Sequence, residues 1–136
     1  RAKQHQAAIR LWIPDYFDAH SNASEHPRLF KEQLPDINIG TNDGASCTPE
    51  MSVAIEAVCA AQTDYSWVLN GRFKGGYITR AYGQPQQQIE AVQLELAQLN
   101  YMDETPPYAW QQARAAGLQK VLKAMIHAML AQARPQ

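Results

Sequence analysis

The chain has 136 residues, 46% of them hydrophobic and 18% charged, with a formal net charge of -1. That composition suits one globular domain large enough to bury a core. It excludes bulk electrostatic attraction to nucleic acid, because the cations are confined to short stretches, and no apolar run is long enough to span a bilayer.

The polar start, Arg1 to Arg10, has no hydrophobic signal region, and without an initiator Met the numbered chain is expected to begin inside a longer protein. Ala2 to Leu11 resembles the end of an amphipathic helix, with Ala7, Ala8 and Leu11 on one side. Trp12 to Phe17 is apolar and aromatic enough for a strand with Pro14 at its edge or beginning. Asp18 then opens a polar stretch to Pro35, and the alternation Ile37-Asn38-Ile39 marks a short strand before a loop from Gly40 to Cys47. Thr48-Pro49 is a helix start, a capping hydroxyl followed by proline in the first turn. That helix should run to about Ala61 and bury Val53 or Met51 together with Ile55, Val58 and Cys59.

Tyr65 to Leu69 is expected as a strand, Tyr77 to Ala81 as another, and Gly83 to Gln88 as a turn or loop. Ile89 to Ala97 alternates Val92, Leu94 and Leu96 with Gln93, Glu95 and Ala97, which favours a strand although its residues also suit a helix. Tyr108 to Ala133 holds a long helix with a core stripe of Leu118, Val121, Leu122, Met125, Ile126, Met129 and Leu130. Strands alternating with helices give an α/β class, a mixed sheet with flanking helices, in which ligands gather at the carboxyl ends of strands.

Asn70 to Arg80 is the most polarised segment: Arg72, Lys74 and Arg80 sit among three glycines with no acid. Glycine lets backbone approach a ligand closely, and guanidinium groups bind carboxylate or phosphate bidentately. The segment reads as an anion clamp, though it lacks the phosphate-loop spacing, and Gly75-Gly76 also suits a plain hairpin turn. His20, bracketed by Asp18 and Ser21, has the chemistry of a metal ligand or a general base, or of an ordinary loop histidine. Glu95 projects from an apolar strand on the face of Gln93; it either faces water or has a function. His127 reads as a surface or partly buried structural residue.

Cys47 and Cys59 are too few for a disulfide framework and lack metal spacing. They are expected to be idle thiols in a reducing cytoplasm. Cys47, beside a loop and a helix start, is a weaker candidate nucleophile, since nothing in the sequence supplies its base.

Asp-Ala-His-Ser, Pro-Arg-Leu-Phe, Leu-Pro-Asp-Ile-Asn-Ile-Gly-Thr, Asn-Gly-Arg-Phe-Lys-Gly-Gly-Tyr-Ile-Thr-Arg, Gln-Leu-Glu-Leu and Tyr-Met-Asp-Glu follow one another in order. This succession, from Asp18 to about Glu104, resembles the C-terminal half of the N-formylglutamate amidohydrolase (N-formylglutamate deformylase) family of histidine degradation. The resemblance implies an α/β hydrolase fold of the zinc-carboxypeptidase-like (phosphorylase/hydrolase-like) kind. Residues 1–136 would then be a single domain forming the C-terminal part of a longer amidohydrolase.

The implied activity is metal-dependent hydrolysis of N-formyl-L-glutamate to L-glutamate and formate, with no nucleic-acid or membrane partner. By the resemblance, His20 falls at a metal-binding histidine and Glu95 at the general base. Arg72, Lys74, Tyr77, Thr79 and Arg80 would line the substrate pocket with Asn70 in support. The cofactor would be a divalent metal, zinc by the family's pattern, which would activate water and polarise the carbonyl. Its remaining ligands are not evident in this chain; the family's earlier half carries a further histidine motif and acidic residues that resemble them. After Asp-Ala-His-Ser the family usually continues Ile-Arg, where this chain has Asn22-Ala23.

The clamp suits a substrate bearing two carboxylates. A non-catalytic domain binding a small acidic ligand is the alternative reading. A third is an assembly module using the Leu118 to Leu130 stripe, which requires that stripe to be exposed.

Overall fold

The structure, a computed structural model, describes residues 15–25, 27 and 31–133. The expected Ala2 to Leu11 helix, and Arg28 to Phe30 of the Pro-Arg-Leu-Phe motif, lie outside the described residues. Within the described residues, four strands form one mixed sheet: β1 (Asp15–Asn22), β2 (Ile37–Gly40), β3 (Trp67–Leu69) and β4 (Glu90–Ala97), in the order β1-β4-β2-β3. β1 runs parallel to β4 and β2 parallel to β3, while β2 and β4 are antiparallel. Among the described residues three α-helices accompany the sheet: α1 (Pro49–Ala60), α2 (Tyr77–Tyr82) and α3 (Gln112–Ala133).

The two faces of the sheet differ in chemistry because strand side chains alternate. On one face Ile37, Ile39, Val92, Leu94 and Leu96 join Met51, Ile55 and Cys59 of α1 and Leu118, Met125 and Met129 of α3 in a single buried core. Full burial of each large aliphatic side chain is worth about 1.5–3 kcal/mol. On the other face lie Asp18, His20, Asn38, Gln93 and Glu95, as the strand register dictates.

Helix α1 begins where its local signals place it. Thr48 is extended and its hydroxyl accepts the Met51 N–H at 3.3 Å, with proline in the first turn. The Glu90 carboxylate accepts the Thr48 N–H at 2.6 Å, joining the start of β4 to the start of α1. Met51 rather than Val53 enters the core; Val53 is 64% exposed.

Several expectations are corrected. β1 continues through Asp18 to Asn22, so His20 lies inside a strand rather than in a loop after one; parallel pairing with β4 extends it. Tyr77 to Ala81 is helical, not a strand. Gly76 caps this short helix, Thr79 is buried, and Tyr82 stacks on Tyr16 of β1 with ring centroids 5.1 Å apart. Tertiary packing here overrides the strand preference of Tyr, Ile and Thr. The hairpin-turn reading of Gly75-Gly76 falls with it, because no strand follows the bend.

The last helix starts at Gln112 rather than Tyr108. Its stripe is mostly core, yet Ile126 and Leu130 are exposed, so the buried face is narrower than the apolar one. With Leu118, Met125 and Met129 packed on the sheet, the assembly reading of the whole stripe loses its basis. The loop Gly83 to Gln88 contains one turn of 3-10 helix, Pro85–Gln87. Among the described residues, no helix is long and apolar enough to cross a membrane.

Candidate active site

The polar face of the sheet is organised around Glu95. It sits mid-strand on β4, with His20 of β1 as register partner on one side and Asn38 of β2 on the other. It is only 4% exposed, so the alternation of this strand does not mean inside and outside water. The strand is buried on both faces.

A carboxylate removed from water requires donors, and two amides provide them. Asn22 Nδ2 donates to Glu95 Oε1 at 2.9 Å, and Gln93 Nε2 to Glu95 Oε2 at 3.4 Å. Burial is the largest influence on this carboxyl and pushes its pKa above the ordinary value. The Asn22 donor, the neighbouring His20 and the Gln93 donor act in the opposite direction, and Asp18 adds to the rise. A raised carboxyl pKa moves a general base toward neutrality, where proton transfer is most effective.

His20 is about half-exposed, and its Nε2 lies 2.8 Å from Asp18 Oδ1. The ring is thereby oriented by a carboxylate, as a ligating or proton-handling imidazole commonly is. The donor set stops there. Among the described residues, no group of three or more His, Cys, Asp and Glu is placed to hold a metal ion. These residues therefore do not fit a complete metal centre.

The glycine-rich segment lies across the same face. Asn38, buried on β2, donates from Nδ2 to the Phe73 carbonyl at 2.6 Å and accepts the Phe73 N–H on Oδ1 at 3.3 Å. The Gly76 N–H donates to Gln93 Oε1. A Cβ on Gly40 would stand 2.8 Å from the Gly75 nitrogen, so Gly40 of β2 is what lets the bend touch the sheet. Gly75 itself has φ +132°, open to glycine and strained for other residues.

The proposed clamp residues are placed unequally. Asn70, at φ 49°, accepts the Thr41 N–H on Oδ1 and donates from Nδ2 to Thr41 Oγ1, both at 2.8 Å, so it braces the bend. Thr79 is buried and its hydroxyl donates to the Gly76 carbonyl at 2.8 Å. Arg80 donates to the Gly75 carbonyl at 2.9 Å. Lys74 is drawn to Asp43 at 3.1 Å, with both side chains more than half exposed. Arg72 and Tyr77 are exposed on the bend and at the start of α2.

A cleft of about 270 Å³ opens where β2 and β3 end and α1 begins, among Thr41, Asp43, Thr48, Ser52 and Asn70. It takes in Asn70 but neither His20 nor Glu95. Cys47 at its wall is buried, and burial pushes its thiol up to about 12. It is therefore a protonated, inert thiol at neutral pH, and the nucleophile reading is set aside. Cys59 is likewise free and buried.

Asn22 and Asn38 carry no site role in the sequence pattern, whereas Gln93 is marked there only as sharing the face of Glu95. The available signal was the two-residue period: Asn22 falls two places beyond His20, and Gln93 two before Glu95. What no local pattern supplies is the pairing that brings those strands together.

The fold and this face define an α/β protein with a polar site built directly on its sheet. Residues 1–102 match the N-formylglutamate amidohydrolase family. The chain belongs to that family. It is 54% identical over 131 residues to the N-formylglutamate deformylases of Pseudomonas aeruginosa and Pseudomonas putida, covering 96% of this chain and 47% of each relative. It thus spans about half the length of these curated relatives. The crystal structure of an N-formylglutamate amidohydrolase from Ralstonia eutropha shares the fold. The TM-score is 0.73 at 21% identity, over 95% of this chain and 45% of that one.

Proposed function

We propose that this chain is the C-terminal part of an amidohydrolase that converts N-formyl-L-glutamate and water to L-glutamate and formate. The observation that carries the reading is Glu95: a buried carboxylate, fixed by two amides, on a face shared with an oriented histidine and a cation-bearing bend. The names of the Pseudomonas relatives supply the substrate.

Glu95 takes a proton from water as the water oxygen bonds to the formyl carbon. The C–N bond then breaks, and the proton returns to the departing nitrogen. The substrate's two carboxylates are met by Arg72, Lys74 and Arg80, with Tyr77 beside them and Asn70 and Thr79 holding the bend. For Lys74 this requires exchange of its exposed Asp43 partner for the substrate, a small cost at a solvated pair.

His20 is proposed as one ligand of a divalent metal, zinc, with its other ligands supplied from outside the described residues. The two free, buried thiols suit a reducing, cytoplasmic setting.

The test is formate release from N-formyl-L-glutamate by the full-length protein and by Glu95→Gln. The variant should fold normally, bind glutamate and lose activity by about a thousandfold or more, the scale of losing a general base. Unchanged turnover in Glu95→Gln would remove the carboxylate from the mechanism.

A further inference from the structure

We propose that Gln93 is a positioning residue that couples the glycine bend to the Glu95 carboxylate, so that the state of the bend sets how the base is held. The inference rests on the hydrolase reading above and deepens it, giving one of the two amides that hold Glu95 a second partner on the bend.

Gln93 is buried, with 7% exposure, between the two groups it joins. Its Oε1 accepts the Gly76 N–H, and its Nε2 faces Glu95 Oε2 at 3.4 Å. The direction of the amide is fixed by chemistry. A backbone N–H only donates, so the carboxamide oxygen must face Gly76 and the amino group must face Glu95. The same polarity suits an ionised carboxylate, which only accepts.

Glycine at residue 76 is part of the device. A Cβ there would stand 2.9 Å from Gln93 Oε1, closer than real side chains approach. The bend therefore meets the amide through bare backbone. Asn22 holds the other carboxylate oxygen at 2.9 Å, so among the described residues each oxygen of Glu95 has one donor, and each keeps a further lone pair.

Gly76 also opens α2, whose Thr79 and Arg80 both bond back to the bend. An acidic substrate that pulls on Arg80 or Lys74 moves the backbone that Gln93 reads. The amide then passes that displacement to the base. Such coupling ties substrate capture to placement of the carboxylate through one side chain.

Two variants separate the arms of this bridge in the full-length protein. Gln93→Met keeps the length and removes both hydrogen bonds. Gln93→Glu keeps an acceptor for Gly76 but sets a second carboxylate against Glu95. Amide exchange at Gly76, read by NMR, should accelerate in Gln93→Met and stay near wild type in Gln93→Glu.

In turnover of N-formyl-L-glutamate, Gln93→Glu should lower kcat by about tenfold to a hundredfold with KM within about threefold, the scale of one bond to a charged group. Gln93→Met should lower kcat similarly and also raise KM, because the bend is released. A kcat within about twofold of wild type in either folded variant overturns the proposal. So do identical changes of kcat and KM in both, which denote general loosening. A wild-type protein that releases no formate would instead remove the hydrolase reading and this inference with it, an outcome distinct from active wild type with indifferent variants.

Discussion

The two faces of β4 are built from adjacent residues of one strand, yet they obey different rules. Val92, Leu94 and Leu96 pack against α1 and α3, where only shape and volume matter. Gln93 and Glu95, equally enclosed, are held by directional bonds to Asn22 and the Gly76 N–H. The apolar face packs the strand against α1 and α3, and the polar face holds a carboxylate on that packed strand through two amide donors. Burial alone therefore does not distinguish core from site; the kind of contact does.

Substitutions on each face sharpen that contrast. Leu94→Ala should be the most disruptive to stability, about 2–5 kcal/mol by chemical denaturation, since Leu94 is fully enclosed and its loss leaves a cavity. A loss below 1 kcal/mol would mean the core collapses around the gap. Asn38→Ala, one strand away on the polar face, removes both bonds to Phe73 and strands its backbone groups. It should cost about 1–3 kcal/mol and raise KM more than it lowers kcat, because it frees the bend while leaving both amide bonds to Glu95 in place. Loss of kcat at constant KM would contradict that assignment.

The smallest effect concerns Asp15, at the start of β1. Its Oδ1 is buried without a hydrogen-bond partner among the described residues, and its pKa is pushed up to about 6 from 3.8. Burial is the main cause; a backbone bond at Glu90 lowers it and the Glu90 charge raises it. The folded protein thus holds a proton that the unfolded chain releases. This group weakens folding progressively as pH rises from about 3.8 to about 6, and the penalty stays in full above that. Asp15→Asn should raise the melting temperature at pH 8 by a few degrees and leave it nearly unchanged at pH 4. An equal shift at both pH values would show that charge is not the cause.

How much of this was legible in the sequence follows the range of the interactions involved. The start of α1 was readable because Thr48 and Pro49 act on their immediate neighbours. β4 was readable from its alternation, although its polar side turned out enclosed by the bend and by β1 rather than wet. α2 was not readable. Its six residues favour a strand locally and are helical because Gly76 caps them and Tyr82 finds Tyr16. The parallel pairing of β1 with β4, which sets His20 beside Glu95, joins residues 75 positions apart and leaves no local trace. The cations of the bend were obvious by type, whereas their present partners, Asp43 for Lys74 and the Gly75 carbonyl for Arg80, depend on the folded loop.

If bend, histidine and carboxylate act on one ligand across the polar face, all three should report its arrival, and an NMR titration of L-glutamate into isotope-labelled full-length protein reads them together. The backbone amides of Gly76, Glu95 and His20 should shift together with one dissociation constant, while those of Met125 and Met129, packed in the core on α3, stay still. Shifts confined to the cleft around Thr41, Thr48 and Ser52, with Glu95 and His20 unmoved, would show that the polar face is not the binding site.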